Sequence, residues 1–154
     1  MSFIFFLGIT LATFIVMEGI TWCTHKYVMH GFLWSLHEDH HQPRYTTVFE
    51  KNDLFFVIFA IPSIILFYFG VHETLNSLFF IGLGILLYGI AYFIVHDVII
   101  HQRLPWFKRT NIRYIKALRK AHKVHHKNMN KEDGKCFGML FVPIKYFKEQ
   151  YQSE

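Results

Sequence analysis

Three long stretches of the chain are almost free of charged residues. They are residues 3–23, which contain only Glu18, residues 54–70 and residues 78–95. An α-helix rises about 1.5 Å per residue and the hydrocarbon layer of a bilayer is about 30 Å thick, so about 17 to 25 apolar residues cross it. The pattern therefore predicts an all-α integral membrane protein with three transmembrane helices, folded as a single domain over residues 1–154.

A fourth, weaker apolar segment covers residues 136–147. It has only twelve residues and is interrupted by Pro143 and Lys145. A segment of this length is too short for an ordinary span and is better suited to the membrane surface. Four spans therefore remain an alternative to the three-span prediction.

The basic residues are confined to two regions. All sixteen Lys and Arg residues lie within residues 24–53 or after residue 96, and none lies before residue 23 or in the connection 71–77. Because basic residues concentrate on the cytoplasmic side of a membrane, we expect regions 24–53 and 96–154 in the cytosol and the N-terminus outside. Contact with anionic lipid headgroups then accounts for the net charge of +5, so no nucleic-acid partner is expected.

The composition agrees with a bilayer environment. Apolar residues make up 53% of the 154 residues, and 18 Phe and 8 Tyr are among the aromatic ones. A soluble domain of this size has too little interior to bury so much apolar surface.

The polar regions carry a histidine pattern that occurs twice. Ten of the eleven histidines form two pairs with four residues between the members and two triplets in which a histidine is followed, after two residues, by an adjacent pair. Each copy follows an apolar span. The ten candidate metal ligands are His25, His30, His37, His40, His41, His96, His101, His122, His125 and His126. The eleventh, His72, is isolated and is interpreted as an ordinary interior or surface histidine.

The number of histidines indicates two metal ions. A zinc site uses three or four protein ligands, whereas two ions with four or five nitrogen ligands each account for all ten imidazoles. Imidazole suits iron, copper, zinc and nickel, and iron with open positions is the usual choice for activating dioxygen. We therefore predict two iron ions with dioxygen as co-substrate, and no separate acid or base is assigned.

Helix geometry suggests how the ligands meet. Residues three and four apart share a helix face, so each triplet is predicted to converge on one point. A five-residue step turns an α-helix by about 140°, so the members of each pair are expected to approach from different sides and to flank a pair of ions. Gly31 is predicted to end the first helix in a left-handed conformation, after His25 and His30 have emerged from the hydrocarbon layer.

Four acidic residues have two interpretations each. Glu38, Asp39 and Asp97 stand beside histidines, where they either orient an imidazole or are ordinary solvated carboxylates. Glu18 lies inside the first apolar stretch and is either a functional group or a packed polar residue.

Two other classes of protein share part of this pattern. Residues 37–41 also fit the zinc-protease signature His-Glu-x-x-His, with His37 and His41 as ligands and Glu38 as base. That interpretation gives no role to the seven clustered histidines outside residues 37–41, and residues 122–125 lack a glutamate. A metal transporter would carry polar residues in the middle of its spans, which here are apolar.

The histidine order resembles that of a known family. Narrower features are His-His-Gln-Pro-Arg at residues 40–44, Phe-Glu-Lys-Asn-Asp-Leu-Phe at 49–55, Tyr-Phe-Ile-Val-His-Asp at 92–97 and Phe-Gly at 137–138. With these features, the chain is similar to the bacterial β-carotene hydroxylases, small members of the membrane fatty-acid hydroxylase and sterol desaturase superfamily.

The resemblance implies a function. It implies a di-iron, oxygen-dependent monooxygenase in the bacterial inner membrane, with its active site on the cytosolic side. The implied reaction is hydroxylation of β-ionone rings at carbon 3, from β-carotene through β-cryptoxanthin to zeaxanthin, with keto-carotenoids as further substrates. Ferredoxin and ferredoxin reductase are the implied electron donors, since the chain carries no nicotinamide, flavin, haem or iron–sulfur motif. Sterol or fatty-acyl hydroxylation or desaturation stays open as an alternative.

Overall fold

A computed structural model describes residues 2–42, 49–71 and 74–148, and all regular structure in these ranges is helical. The α-helices are α1 (Phe3–Cys23), α2 (Trp34–His41), α3 (Leu54–Gly70), α4 (Ser77–Phe93), α5 (Arg113–His126) and α6 (Ile144–Lys148). The remaining helical segments are a π-helix after α1 (Thr24–Phe32), a 3-10 turn before α3 (Lys51–Asp53) and a π-helix after α4 (Ile94–Ile100).

Three continuous helical stretches are long and apolar enough to cross a membrane. They are Phe3–Phe32 with 30 residues, Lys51–Gly70 with 20 and Ser77–Ile100 with 24. The predicted all-helical fold with three long apolar helices is therefore confirmed. Within the described residues, α6 is the only helix in the region of the fourth apolar segment, and its five residues are too few for a span.

Helix α4 packs against both α1 and α3 through small residues. A Cβ atom at Gly84 would lie 2.6 Å from the Cβ of Thr13 on α1, so a larger residue there would separate the two helices. On the α3 side, the hydroxyl of Ser63 donates to the carbonyl of Gly82 at 2.8 Å. Small residues and side-chain hydrogen bonds are typical of helix contacts in membranes, because lipid supplies no hydrophobic force between helices.

The two π-helical segments position the two histidine pairs: His25 and His30 lie in the first segment, and His96 lies in the second, which His101 directly follows. The backbone N–H of His101 donates to the carbonyl of His96 at 2.9 Å, and that of Leu33 donates to Val28 at 3.0 Å. These bonds join residues five apart, which is the π-helical register. The first helical stretch then breaks at Gly31, whose φ is −111° and ψ is −124°. The prediction of a left-handed Gly31 is therefore wrong, because the chain turns here at negative φ.

Glu18 ties the C-terminal segment to the membrane helices. Its Oε1 accepts hydrogen bonds from the backbone N–H groups of Met139 and Leu140, both at 2.9 Å, and of Phe141 at 3.0 Å. Its Oε2 accepts a hydrogen bond from the hydroxyl of Tyr88 on α4 at 2.7 Å. Of the two interpretations of Glu18, these contacts support the packed polar residue, which here anchors a loop.

Helix α5 lies against the π-helix after α4. The Nε of Arg119 donates to the carbonyl of Ile99 at 2.9 Å, and its guanidinium also donates to the carbonyl of Phe107 at 2.6 Å. Helix α5 also packs against α6, where Ala117 and Ala121 contact Tyr146. These contacts bring the histidines of α5 to those at the ends of the long helices.

Candidate metal centre

The structure brings the ten clustered histidines together, nine of them in two adjacent groups. The first group consists of His25, His30, His37, His41 and His125, and the second group consists of His40, His101, His122 and His126. In each group, one ring nitrogen from every member lies within 4.8 Å of the others. His96 lies beside the second group, with its Nε2 at 3.0 Å from the Nε2 of His40.

The Nε2 atoms of the first group point inward. The Nε2 of His37 lies 3.1 Å from that of His25 and 3.2 Å from that of His41. The Nε2 atoms of His30 and His125 are 3.3 Å apart. All five side chains belong to buried residues, so the point on which they converge is shielded from water.

The second group has the same arrangement. The Nε2 of His122 lies 2.8 Å from the Nε2 of His101 and 2.8 Å from that of His126. The ring of His40 lies over these side chains, with its centroid 4.4 Å from the ring of His101 and 4.7 Å from that of His126. Each group thus presents several imidazole nitrogens to one small volume.

Oxygen acceptors fix the outer nitrogen of every histidine in the first group. The Nδ1–H groups donate to the carbonyls of Phe137 (from His25, 3.0 Å), Lys131 (from His30, 3.0 Å), Asn128 (from His41, 2.9 Å) and Lys135 (from His125, 2.8 Å) and to the Oδ1 of Asn52 (from His37, 2.7 Å). A carbonyl oxygen only accepts, so the proton of each ring is on Nδ1. The Nε2 atoms are left with free lone pairs.

This donor set fits a bound cation. Lone pairs that face each other at 3.1 Å, as those of His25 and His37 do, repel unless a cation lies between them. Metal-binding histidines characteristically donate the other ring N–H to a carbonyl or carboxylate, as these do. Neutral imidazole nitrogens of this kind suit iron, copper, zinc and nickel.

Carboxylates hold the histidines around the second group. The Nδ1 of His40 lies 2.8 Å from the Oε2 of Glu50, and the Nδ1 of His96 lies 3.3 Å from the Oδ2 of Asp97. The guanidinium of Arg103 contacts both acids, at 2.9 Å from Glu50 and 3.1 Å from Asp97. Of the two interpretations of Asp97, the structure therefore supports the one in which it orients an imidazole.

Burial keeps the clustered imidazoles uncharged. Burial, together with the smaller effect of neighbouring histidines, lowers the pKa of His41 to about 4 and that of His126 to about 3. The same two causes hold the pKa values of His40 and His122 well below the ordinary value. At neutral pH these side chains are in the neutral form that binds metal ions.

The triplets do not converge as the sequence predicts. In each triplet, the two histidines four residues apart enter one group and the remaining histidine enters the other. The pairs that stay together are His37 with His41 and His122 with His126, while His40 and His125 join the opposite groups. The prediction that each triplet meets at one point is wrong, because α2 and α5 each present their side chains to both groups.

The expected arrangement of the pairs is also wrong. His25 and His30 are five residues apart but belong to the same group, with ring centroids 5.3 Å apart. The rings of His96 and His101 are 4.5 Å apart. The 140° separation holds for an α-helix, whereas in a π-helix residues five apart lie on the same side.

Two orienting residues were not identified from the sequence. Glu50 and Asn52 lie ten and fifteen residues from the histidines that they contact, so no helical spacing connects them. The signals in the sequence were the polar run at residues 50–53 in front of an apolar stretch and the family-like motif at residues 49–55, and neither assigns these two residues to a histidine. Asp39, which was a candidate, instead accepts a hydrogen bond from the backbone N–H of Lys51 at 2.7 Å.

Two features of the sequence analysis fall outside the described residues. One is the isolated His72, and the other is the Pro43–Arg44 part of the motif at residues 40–44. Glu38, the base of the protease alternative, is described and is partly buried on α2.

An apolar cavity of about 580 Å³ leads to the histidines. It lies between α1, α3 and α4, and its apolar wall includes Met17, Met29, Phe55, Phe59, Tyr88 and Gly89. At one end it reaches His96 and Arg103. Phe56 and Val57 also line it and are more than half exposed, so the cavity opens on the outer surface of the long helices.

Comparison with known proteins identifies the family. Residues 10–147 match the model of the family described as fatty acid hydroxylase. The chain belongs to the fatty acid hydroxylase family. The resemblance noted in the sequence is thereby confirmed, and the histidine groups of this hydroxylase family member lie within the matched region.

Relatives in bacteria and plants are named as carotenoid enzymes. The beta-carotene hydroxylase of Pantoea ananas is 44% identical over 135 residues, covering 88% of this chain and 76% of the relative. The beta-carotene hydroxylase of Paracoccus sp. (strain PC1) is 38% identical over 136 residues, which cover 88% of this chain and 83% of the relative. The chloroplastic beta-carotene 3-hydroxylase 2 of Arabidopsis thaliana is 38% identical over 122 residues, which cover 77% of this chain and 39% of the relative. No solved structure matches the chain significantly.

Proposed function

We propose that this family member is a membrane-bound, non-haem di-iron monooxygenase that uses dioxygen to hydroxylate the β-ionone rings of carotenoids at carbon 3. The reaction converts β-carotene through β-cryptoxanthin into zeaxanthin, and keto-carotenoids are further substrates. The observation that carries the proposal is the pair of histidine groups at the end of an apolar cavity that opens on the outer surface of the long apolar helices. The names of the bacterial and plant relatives support the choice of carotenoids.

The chain's own residues hold the centre and the substrate. The first group holds one iron ion and the second group, with His96 beside it, holds the other. When bound, the two ions supply the activation of dioxygen that no side chain performs. The ring end of the carotenoid lies between Met17, Phe55 and Tyr88, and these apolar walls exclude water from the reacting carbon.

The membrane position of the enzyme is part of the proposal. The positive residues of regions 24–53 and 96–154 favour a cytosolic active site in the inner membrane, with the N-terminus outside. Electrons come from an external donor, for which ferredoxin with its reductase is our proposal. The bilayer delivers the substrate, because a long apolar polyene dissolves only there.

The test is expression in a bacterium that accumulates β-carotene, followed by chromatography of the pigments. We expect 3-hydroxylated products with the native chain and none with His37→Ala or His122→Ala, which remove one histidine from each group. Unchanged pigment together with hydroxylated or desaturated sterols or acyl chains would assign the chain to another branch of the family.

Metal analysis of the purified protein separates the enzyme from the protease alternative. We expect about two iron ions per chain, because the histidines form two groups. The protease would instead be supported by one zinc ion without iron and by a proteolytic activity that is kept in His122→Ala and lost in Glu38→Gln. The matched variants are informative because His122 belongs to the second group and Glu38 neighbours the first.

A further inference from the structure

The two histidine groups differ in the charge of their hydrogen-bond partners. In the first group, each Nδ1 donates to a neutral oxygen, four times a backbone carbonyl and once the amide of Asn52. Beside the second group, His40 and the adjoining His96 donate to the carboxylates of Glu50 and Asp97. A carboxylate partner makes an imidazole a more basic ligand than a carbonyl does. The second side of the centre therefore has the more basic imidazoles, those of His40 and His96.

The cavity reaches only one side of the centre. Among the ten clustered histidines, all of which are described, His96 alone lines the cavity. Its ring lies 4.8 Å from that of His40 and 5.0 Å from that of His122, so it stands between the cavity and the second group. Glu50 and Arg103 line the same end.

Aromatic rings separate the first group from the cavity and from the loops around it. Phe55 is a wall of the cavity, and its ring centroid is 6.5 Å from that of His37 behind it. On the other side, the ring of Phe137 lies 5.4 Å from His25 and 5.2 Å from His30. The first group is thus closed off from the cavity, whereas the second group adjoins His96, which lines the cavity.

Arg103 joins the acids that orient the second side. Its guanidinium contacts Glu50 at 2.9 Å, Asp53 at 2.9 Å and Asp97 at 3.1 Å. Two of these three acids hold an imidazole, so Arg103 fixes both imidazoles at once. The planar guanidinium presents five N–H donors, which a lysine ammonium cannot replace in full.

We infer that the two halves of the centre have different roles, a division that rests on the proposed function. The second group is the reacting half and meets the substrate through His96, and the first group holds a closed supporting ion. Arg103 is a positioning residue for the reacting half, acting through Glu50 and Asp97. The inference follows from the cavity, the enclosing rings and the charge of the hydrogen-bond partners taken together.

The test is Mössbauer spectroscopy of the purified full-length protein loaded with iron-57. We expect two sets of signals in the native protein, because the two groups have different surroundings. Arg103→Gln should change one set, and addition of β-carotene to the native protein should change the same set. His30→Ala, which removes one member of the first group, should change the other set. Arg103→Lys should restore part of the native spectrum, since it keeps the charge but makes fewer contacts.

The outcomes distinguish this inference from the proposed function. If β-carotene changes the signals that His30→Ala changes, or changes both sets equally, the division of roles is wrong. The substrate titration uses native protein, so it stays decisive even if Arg103→Gln fails to fold, with His30→Ala assigning the signals. A native protein that binds no iron, or that binds iron and forms no 3-hydroxylated carotenoid, would instead overturn the proposed function.

Discussion

Replacement of Glu18 by alanine tests the anchor that fastens the C-terminal loop to the long helices. Glu18 is only 6% exposed and accepts four hydrogen bonds, three of them from consecutive backbone N–H groups. In Glu18→Ala these donors lose their acceptor. The same C-terminal loop provides the carbonyl of Phe137, which accepts a hydrogen bond from His25. Loss of the anchor should therefore also weaken the positioning of the first histidine group.

The expected loss of stability follows from the three backbone donors. A buried donor without an acceptor costs about 1–3 kcal/mol. Phe141 is 70% exposed, so water replaces part of the loss and the lower end of the range applies. The three donors together give about 3 kcal/mol. For a chain of this size, about 1 kcal/mol lowers Tm by about 2–4 °C, so a decrease of about 6–12 °C is expected.

The assay is thermal unfolding of the detergent-solubilised, iron-loaded protein, followed by circular dichroism, with iron content measured in parallel. Tyr88→Phe is the matched control, because it removes one of the four bonds and leaves the carboxyl in place. Its cost should be about 1 kcal/mol. Glu18→Gln keeps one oxygen acceptor and should lie between the two. If the Tm of Glu18→Ala lies within about 2 °C of the native Tm and the variant keeps its iron, the hydrogen bonds of Glu18 do not contribute the stability expected of them.

Three further substitutions probe the cavity, the helix contact and the orientation of a ligand. Gly89 lines the cavity and a Cβ there meets nothing within 4 Å, so a leucine side chain at this position has room to extend into the cavity. Gly89→Leu should therefore weaken substrate binding by about 1.4 kcal/mol or more and lower hydroxylated product about tenfold or more, with iron content unchanged. The control is Gly19→Leu, which also meets nothing but lies on the exposed side of α1. Gly84→Ala should lower Tm, because its Cβ would lie 2.6 Å from a side chain of α1 at a cost of about 1–3 kcal/mol. Asn52→Ala removes the acceptor 2.7 Å from the Nδ1 of His37, and iron titration should show an affinity about 10–100-fold lower.

The long apolar helices were predictable because lipid tolerates few charges. The stretch 54–70 coincides with α3, and its two ends are set by Asp53 and by the polar connection after Gly70. Helices α1 and α4 continue as π-helices beyond the apolar stretches in which they begin. The sequence predicted that the first helix continues to Gly31, but the π-helical register of both extensions was not predictable, because a hydrophobic pattern reports which residues avoid water and says nothing about hydrogen-bond register.

The candidate site was predictable as a set of residues and not as an arrangement. The repeated spacing singled out the ten histidines that the structure brings together. Their division into two groups arises because α2 and α5 each contribute histidines to both groups, which is a property of helix packing. Glu50 and Asn52 reach His40 and His37 from a separate turn, and such contacts across the fold leave no trace in local spacing.

The backbone carbonyls that hold the first group have a consequence for how the sequence can vary. Four of the five acceptors come from Asn128, Lys131, Lys135 and Phe137, within ten residues of one another. A substitution in this stretch leaves the carbonyl in place, so most amino acids there are exchangeable as far as these bonds are concerned. Adding or deleting a single residue shifts every later carbonyl off its imidazole. The length of this stretch is therefore under tighter constraint than its composition.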